Sequence, residues 1–402
     1  MRILIVASFI PYPPESGARI RTWEIASRLL RRHEVVFGLH LRTREDLARV
    51  EAIRKCGFEV IAGWTDTGPR AAAVAIREVL SGGPPLFALR RSHDLETQLA
   101  RHHAAKPFDV IQVEHFELAR YARLIGGAGN AIRVIVLHDI LSIAYDRIAG
   151  IERGVLRKVW RRYNAIRLKA YERRLLPEYD LCITVSEKDR TAISRYTDPT
   201  KIRVFPNGVD CNAKAFLEHE SGGPPTLLFV GLLLYSPNAD AARWMIGTIL
   251  PRIRKEVPDC RLDIVGAEAP EDLRELARSR GHGARLVGGV DELSPCYQSC
   301  QIAVVPLRAG GGTRLKILEA MAFGRAVVST SLGCEGLSVV DGEHLLIADT
   351  AETFASAVVR LLRNRDERDR LRGNARRLVE HAYSWDDCAA AHVRSYESLS
   401  KT

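Results

Sequence analysis

The chain has 402 residues, 46% hydrophobic and 27% charged, with a formal net charge of +10 at pH 7. That length is large for one core and suits two domains of roughly 150–200 residues each. The composition excludes a disordered or fibrous chain, and the longest apolar run, Leu227 to Tyr235, is about half of a membrane-spanning helix.

The positive balance suits an anionic partner: a nucleotide, a phospholipid surface or a nucleic acid. No recognised nucleic-acid module accompanies it, so nucleic acid is not expected. Eight cysteines are scattered without a C-x-x-C pair, which points to reduced thiols rather than disulfides or zinc ligands. The opening Met1 to Ser8 runs quickly into Pro11, Pro13 and Pro14 and does not read as a signal peptide. The expectation is a cytoplasmic protein, peripheral at most on the inner face of the cell membrane.

The first strand is expected over Ile3–Ala7, followed by the loop Ser8 to Gly17 and an amphipathic helix from Arg19 to Arg32. Further strands are expected at Glu34–Leu39, Phe58–Ala62, Val110–Val113, Val134–Leu137 and Leu181–Val185, each followed by a polar loop and helical sequence. Between the last two, the segment from Arg147 to Arg174 interleaves Arg153, Arg157, Lys158, Arg161, Arg162, Arg167, Lys169, Arg173 and Arg174 with Val155, Trp160, Tyr163, Ile166 and Tyr171. It reads as a basic amphipathic helix suited to an anionic membrane, or else as a solvated helix packing its aromatics on the first sheet.

Ser221-Gly222-Gly223-Pro224-Pro225 is the strongest linker signal. The pattern then restarts: strands at Thr226–Leu232, Leu262–Val265, Arg285–Val287, Ile302–Val305, Ala326–Ser329 and Leu345–Ile347, helices through Trp244 and from Glu271, and a helical tail from Ser384 to Leu399. Alternating strand and helix implies two doubly wound, Rossmann-like parallel-sheet domains with their loops facing a shared cleft. The expected boundaries are 1–210 and 211–384, with the helix 385–402 packing back on the first domain.

The most informative stretch is Gly310-Gly311-Gly312-Thr313-Arg314-Leu315-Lys316-Ile317-Leu318-Glu319. A glycine turn lets backbone amides approach a ligand closely. The helix start behind it carries unpaired N–H groups and a partial positive charge. Arg314 and Lys316, placed in the first helical turn, oppose that dipole unless an anion such as a phosphate lies nearby. Glu319, one turn on, offers a carboxylate to hydroxyl groups. Local chemistry alone leaves a plain strand-to-helix turn open, and the stretch is neither a P-loop nor a dinucleotide fingerprint.

In the second half, Phe229-Val230-Gly231, Pro237-Asn238-Ala239-Asp240, Ile264-Val265-Gly266, Val305-Pro306-Leu307-Arg308, Glu319 through Gly324, Val327-Val328-Ser329-Thr330, Gly333, Glu335-Gly336-Leu337 and Tyr383-Ser384-Trp385 stand in a distinctive order. So do Pro13-Pro14, Ser16-Gly17, His33-Glu34-Val35, His138-Asp139, Val185-Ser186-Glu187 and Pro206-Asn207-Gly208-Val209-Asp210 in the first. Together they resemble the family 4 retaining glycosyltransferases over nearly the full length. The resemblance implies the two-domain GT-B architecture, a nucleotide-sugar donor held mainly by the second domain, and a glycan, lipid-linked or small-molecule acceptor. It also implies transfer with retention, no cofactor and no metal.

The same resemblance assigns residues. Glu319 matches the glutamate that binds ribose hydroxyls, Gly17 the glycine loop passing the donor phosphates, and His138 the histidine facing the donor sugar. Asp139 either orients His138 or caps the following helix. Gly231, Gly266, Gly310, Gly311, Gly312, Thr313 and Leu315 complete the donor-side set, and His138, Lys316 and Arg314 are the candidate catalytic residues. There are two departures. Gly311 stands where members often carry a second glutamate, which leaves that role empty or taken over by backbone amides. The loop Leu232 to Asn238 lacks the usual cations, so Lys316 and Arg314, with Arg308 third, become their replacements. No carboxylate partner for His138 is evident, which weighs against a nucleotide-sugar epimerase or hydrolase on the same scaffold. The missing acid at Gly311 keeps a non-catalytic nucleotide-sugar-binding protein in view.

Overall fold

The apolar runs of the first half assemble into a seven-stranded parallel sheet: β1 (Arg2–Ala7), β2 (Glu34–Leu41), β3 (Glu59–Trp64), β4 (Val110–Glu114), β5 (Ile132–Leu137), β6 (Leu181–Thr184) and β7 (Ile202–Val204), in the order β3-β2-β1-β4-β5-β6-β7. The computed structural model describes residues 1–400 apart from 81–82, 85–86, 88–90, 127–129, 218–222 and 280–282. Ser221 and Gly222 of the expected linker therefore lie outside the described residues. Every residue of β1 is buried, because both faces of a parallel sheet are covered by helices and its strands need apolar side chains on both sides. Ile3 sits opposite Val35 on one side and Val110 on the other.

The helix Gly17–Leu30 lays Ile25, Ala26 and Leu29 inward. The C-terminal helix Trp385–Ser400 runs beside it, joined by Arg28 to Asp386 at 3.0 Å. Only β7 lies beyond the expected strands of this half. Its three residues, with Arg203 between Ile202 and Val204, are too short and too polar for a periodicity signal.

The second half repeats the plan with β8 (Thr226–Val230), β9 (Arg261–Val265), β10 (Ala284–Gly288), β11 (Ile302–Val305), β12 (Ala326–Ser329) and β13 (Leu346–Ile347), ordered β10-β9-β8-β11-β12-β13 and parallel throughout. β8 stops short of the expected Leu232, because the chain bends at Gly231, whose N–H is taken by Val265 at 2.9 Å. One unit gathers Met1–Ala149, Gly154–Pro206 and the C-terminal helix; the other gathers Gly150–Arg153 and Asn207–Ser384. All eight cysteines are free thiols. Among the described residues no helix is long and apolar enough to cross a membrane.

The basic segment is not one helix. It divides into Leu141–Ile151 and Val155–Leu175, with Gly154 at the second N-cap in extended conformation. Glycine's low helix propensity lets the run break there. Nor do its aromatics all pack on the sheet: Tyr171 is buried, but Trp160 and Tyr163 are exposed.

Each sheet reverses its winding at one place. β1 lies between β2 and β4, and β8 lies between β9 and β11. Doubly wound sheets bind ligands beyond the carboxyl ends of strands at such a reversal. The loops after β1 and β4, and those after β8 and β11, are therefore where chemistry is expected.

Candidate functional site

In the second unit the loop after β11 brings the glycine turn to the reversal point. Gly310 has φ +103° and Gly312 φ +71°, conformations that glycine adopts without the strain a side chain would bring. A Cβ at 310 would also lie 2.9 Å from the Tyr235 hydroxyl. The helix that follows spans Leu315–Ala322 with Arg314 as its N-cap residue, so Arg314 stands one residue ahead of the first turn expected for it. Its guanidinium donates back to the Gly311 carbonyl. The Thr313 hydroxyl oxygen accepts from the Asn207 amide at 2.6 Å. Leu315 is buried and anchors the first turn in the core.

Lys316 points toward β8. Its Nζ donates to Asn238 Oδ1 at 2.9 Å and lies 4.5 Å from the centre of the Phe229 ring. Gly231 makes room for it, since a Cβ there would come 2.7 Å from Nζ. Burial, and then the neighbouring Arg314 charge, push the Lys316 ammonium down to about 7 despite the opposing pull of Glu319. The group is thus poised to gain a proton when an anion arrives.

Glu319 is largely buried one turn deeper, with Lys214 at 3.5 Å. Burial raises its carboxyl above the ordinary range, and Lys214 acts in the opposite direction. Arg308 is occupied elsewhere: it forks onto Asp240 at 3.0 and 2.7 Å and lies over the Trp244 ring. Lys214 and Asn238 join this site only in the folded chain. Asn238 stood inside a family segment and at a helix start; Lys214 carried no signal, because Glu319 is over a hundred residues away.

Gly266, after β9, faces Gly231 directly. A methyl group at 266 would meet the Gly231 carbonyl oxygen at 1.9 Å, and two backbones cannot separate without opening the sheet end. Gly266→Ala is expected to cost about 3 kcal/mol of stability, seen as a lower urea midpoint. Gly247→Ala, where nothing lies within 4 Å, is the control expected to show no loss.

In the first unit His138, just past β5, has its Nε2 2.5 Å from Glu114 Oε2 at the end of β4. Spacing along the chain shows no carboxylate for this histidine, and the parallel register supplies one by setting Glu114 opposite Val136. Burial alone would raise the Glu114 carboxyl, but the hydrogen bond and charge of His138, together with Gln112, hold it below its ordinary value. The chain continues inward: Gln112 Nε2 donates to Glu114 Oε1 at 2.6 Å, and the Tyr396 hydroxyl of the C-terminal helix donates to Gln112 Oε1. An ionised Glu114 keeps the His138 proton on Nε2.

His115 lies against His138, ring centres 4.4 Å apart, with φ +79°. A side chain in that region is strained, a condition that collects at functional sites. Burial lowers its pKa to about 4, so it stays neutral. Like His138 it directly follows a strand, a signal the sequence offered. Beside this cluster the Ser8 hydroxyl, after β1, donates to Glu117. Gly17 is the first residue of its helix, behind Ser16, whose side chain makes no capping bond. In the first turn of the helix after β5 the Ser142 N–H is taken by Glu172 at 2.9 Å. A cavity of about 660 Å³ opens at the carboxyl ends of β2 and β3, lined by Arg42, Trp64, Thr65 and Asp66 among others. Among the described residues no three His, Cys, Asp or Glu side chains gather as a metal site would require.

Residues 16–213 match the family described as Glycosyltransferase Family 4, and residues 224–364 match the one described as Glycosyl transferases group 1. The chain belongs to the family 4 glycosyltransferases. Its architecture is GT-B, two doubly wound parallel-sheet domains. A sucrose-phosphate synthase from Thermosynechococcus elongatus is similar over 99% of this chain and 98% of its own, with TM-score 0.75 and 16% identity. Anabaena HepE, solved in complex with UDP and glucose, is similar over 99% of this chain and 100% of its own, with TM-score 0.72 and 15% identity. Among sequence relatives, a phosphatidyl-myo-inositol mannosyltransferase of Mycolicibacterium smegmatis is 31% identical over 206 residues, 49% of this chain and 52% of that protein. The first curated relatives are matched over about half to two thirds of their own length, at 65% and 52%.

Proposed function

We infer that this family 4 glycosyltransferase moves a sugar from a nucleotide-sugar donor to a hydroxyl of a glycan, glycolipid or small-molecule acceptor, with retention at the anomeric carbon. The observation that carries the reading is Lys316, a cation with a depressed pKa beside a glycine turn at the winding reversal of the second unit. Lys316, Arg314 and the helix start meet the charge of the departing diphosphate, so the reaction uses no metal and no cofactor beyond the nucleotide sugar. Gly231, Gly266, Gly310, Gly311, Gly312, Thr313 and Leu315 shape the donor pocket, and Glu319 takes the ribose hydroxyls. The acceptor oxygen bonds to the anomeric carbon on the face from which the phosphate oxygen leaves. The acceptor proton passes to that phosphate oxygen.

The acceptor side is served by the first unit, whose Trp64-walled cavity has the size of a small-ligand site. The enzyme works in the cytoplasm on the inner face of the cell membrane, building polysaccharide or glycolipid. The basic residues of Val155–Leu175 support attraction to the anionic lipids of that leaflet. A second reading, an epimerase or hydrolase on this scaffold, gains from the Glu114–His138 pair, which is a ready acid and base.

Incubation with a panel of nucleotide sugars, with and without acceptors, separates these readings. Nucleotide release that depends on acceptor is the expected result. Epimer or free sugar formed without acceptor would replace transfer by the second reading. Binding without turnover would leave a nucleotide-sugar-binding protein.

A further inference from the structure

We propose that one face of the helix Val155–Leu175 is the membrane-docking surface, lying flat on an anionic bilayer with its apolar row in the headgroup layer. The inference deepens the membrane part of the proposed function and rests on it. A helix turns 100° per residue, which puts Val155, Leu156, Val159, Trp160, Tyr163 and Ile166 within one arc of about 140°. Each is exposed, by 41 to 86%. The opposite face buries Asn164, Ala165, Leu168, Tyr171, Glu172 and Leu175 against the first unit. The helix is thus apolar on two sides, and among the described residues only one of them is buried. Six large apolar side chains in a row on a soluble surface mark an interaction site.

Charge selects the occupant. The helix carries eight Lys and Arg and one acidic residue, Glu172, and that carboxylate is buried and engaged by the Ser142 N–H and hydroxyl at 2.9 and 2.6 Å. Exposed Arg157, Arg162, Lys169 and Arg173 therefore surround the apolar row with no exposed carboxylate on the same helix. A second copy docked face to face would set these cations against each other. A nucleic acid would match the cations but leave Val155, Leu156, Val159 and Ile166 without apolar surroundings. An anionic bilayer meets both demands, and Trp160 and Tyr163 are residue types that favour its boundary. The apolar row, some 17 Å along the axis, is too short to span the hydrocarbon core.

The test uses the full chain and vesicles of phosphatidylcholine with or without about one third phosphatidylglycerol, floated at about 50 and 500 mM salt. Binding to the anionic vesicles at low salt is expected, lost without phosphatidylglycerol and weakened at high salt. The triple variant L156S/V159S/W160S should bind at least about tenfold more weakly, with a nearly unchanged melting temperature because Leu156 and Val159 are mostly exposed and Trp160 stacks on Tyr163, itself exposed. Binding by the triple variant equal to wild type would overturn this face while leaving membrane attachment standing. No binding by the wild-type chain at low salt would overturn both. A wild-type dimer that the triple variant splits, without vesicle binding, would assign the face to a second copy instead. Transfer to a water-soluble acceptor, measured in parallel, is expected to be unchanged in the variant and reports on the transferase reading independently.

Discussion

Replacing Lys316 with alanine is expected to lower kcat by on the order of 10²- to 10³-fold while the protein stays folded. The loss follows from position. The ammonium sits at the one winding reversal of the second sheet, 2.9 Å from Asn238, where negative charge would build on a departing diphosphate. The fold should survive because burial already disfavours the charged lysine, so its removal relieves a desolvation cost and forfeits only the Asn238 bond and the packing on Phe229. Turnover at the wild-type level in a folded Lys316→Ala protein would remove this residue from the phosphate site.

The same group predicts a pH dependence with a definite sign. Its pKa is about 7 in the fold against an ordinary 10.5. Between those values the unfolded chain holds more protons, so the contribution of Lys316 to stability improves as pH rises from about 7 to 10.5, and its full cost is present below 7. A nucleoside diphosphate favours the protonated form, so binding must take up a proton once the free enzyme has lost it. Affinity should therefore fall by about tenfold per pH unit above about 7. Titration calorimetry with UDP from pH 6 to 9, in buffers of different ionisation enthalpy, reads both the affinity and the proton. A flat profile in the wild type would contradict the assignment, and the alanine variant supplies the reference in which it should be flat.

Much of this molecule is legible before folding, and the reason is local. Buried parallel strands need apolar side chains on both faces, so Ile3–Ala7, Val134–Leu137 and Ile302–Val305 stand out as unbroken runs. The glycine turn and its cations are contiguous from Gly310 to Lys316 and declare themselves as a set. What stays hidden depends on register and distance. Lys214 reaches Glu319 only through the packing of the second unit. Glu114 and His138 meet because β4 and β5 are hydrogen-bonded neighbours, which spacing along the chain does not express. The helix Val155–Leu175 is hidden in another way. Both Val155, Val159, Tyr163 and Ile166 and the set Ala165, Leu168, Tyr171 and Leu175 obey helical spacing, so periodicity alone does not say which of the two stripes faces the sheet.

The Glu114–His138 pair carries the second large effect. Glu114→Gln keeps the shape of the side chain but replaces a carboxylate that accepts from both His138 and Gln112 with a neutral amide. The proton on His138 Nε2 then loses its charged acceptor, and the imidazole is free to turn or change tautomer. A fall in kcat of about 10²-fold is expected, with little change in donor KM, since neither side chain belongs to the diphosphate site of the second unit. Weakened packing would produce a different pattern: lower stability alongside the loss of activity. Loss of positioning lowers kcat while stability and donor KM stay near their wild-type values. The double variant separates the two accounts. If Glu114 acts through His138, E114Q/H138A should be no slower than H138A alone, as expected of groups that work as a unit. Losses that multiply would make Glu114 a structural carboxylate and leave His138 to act without it.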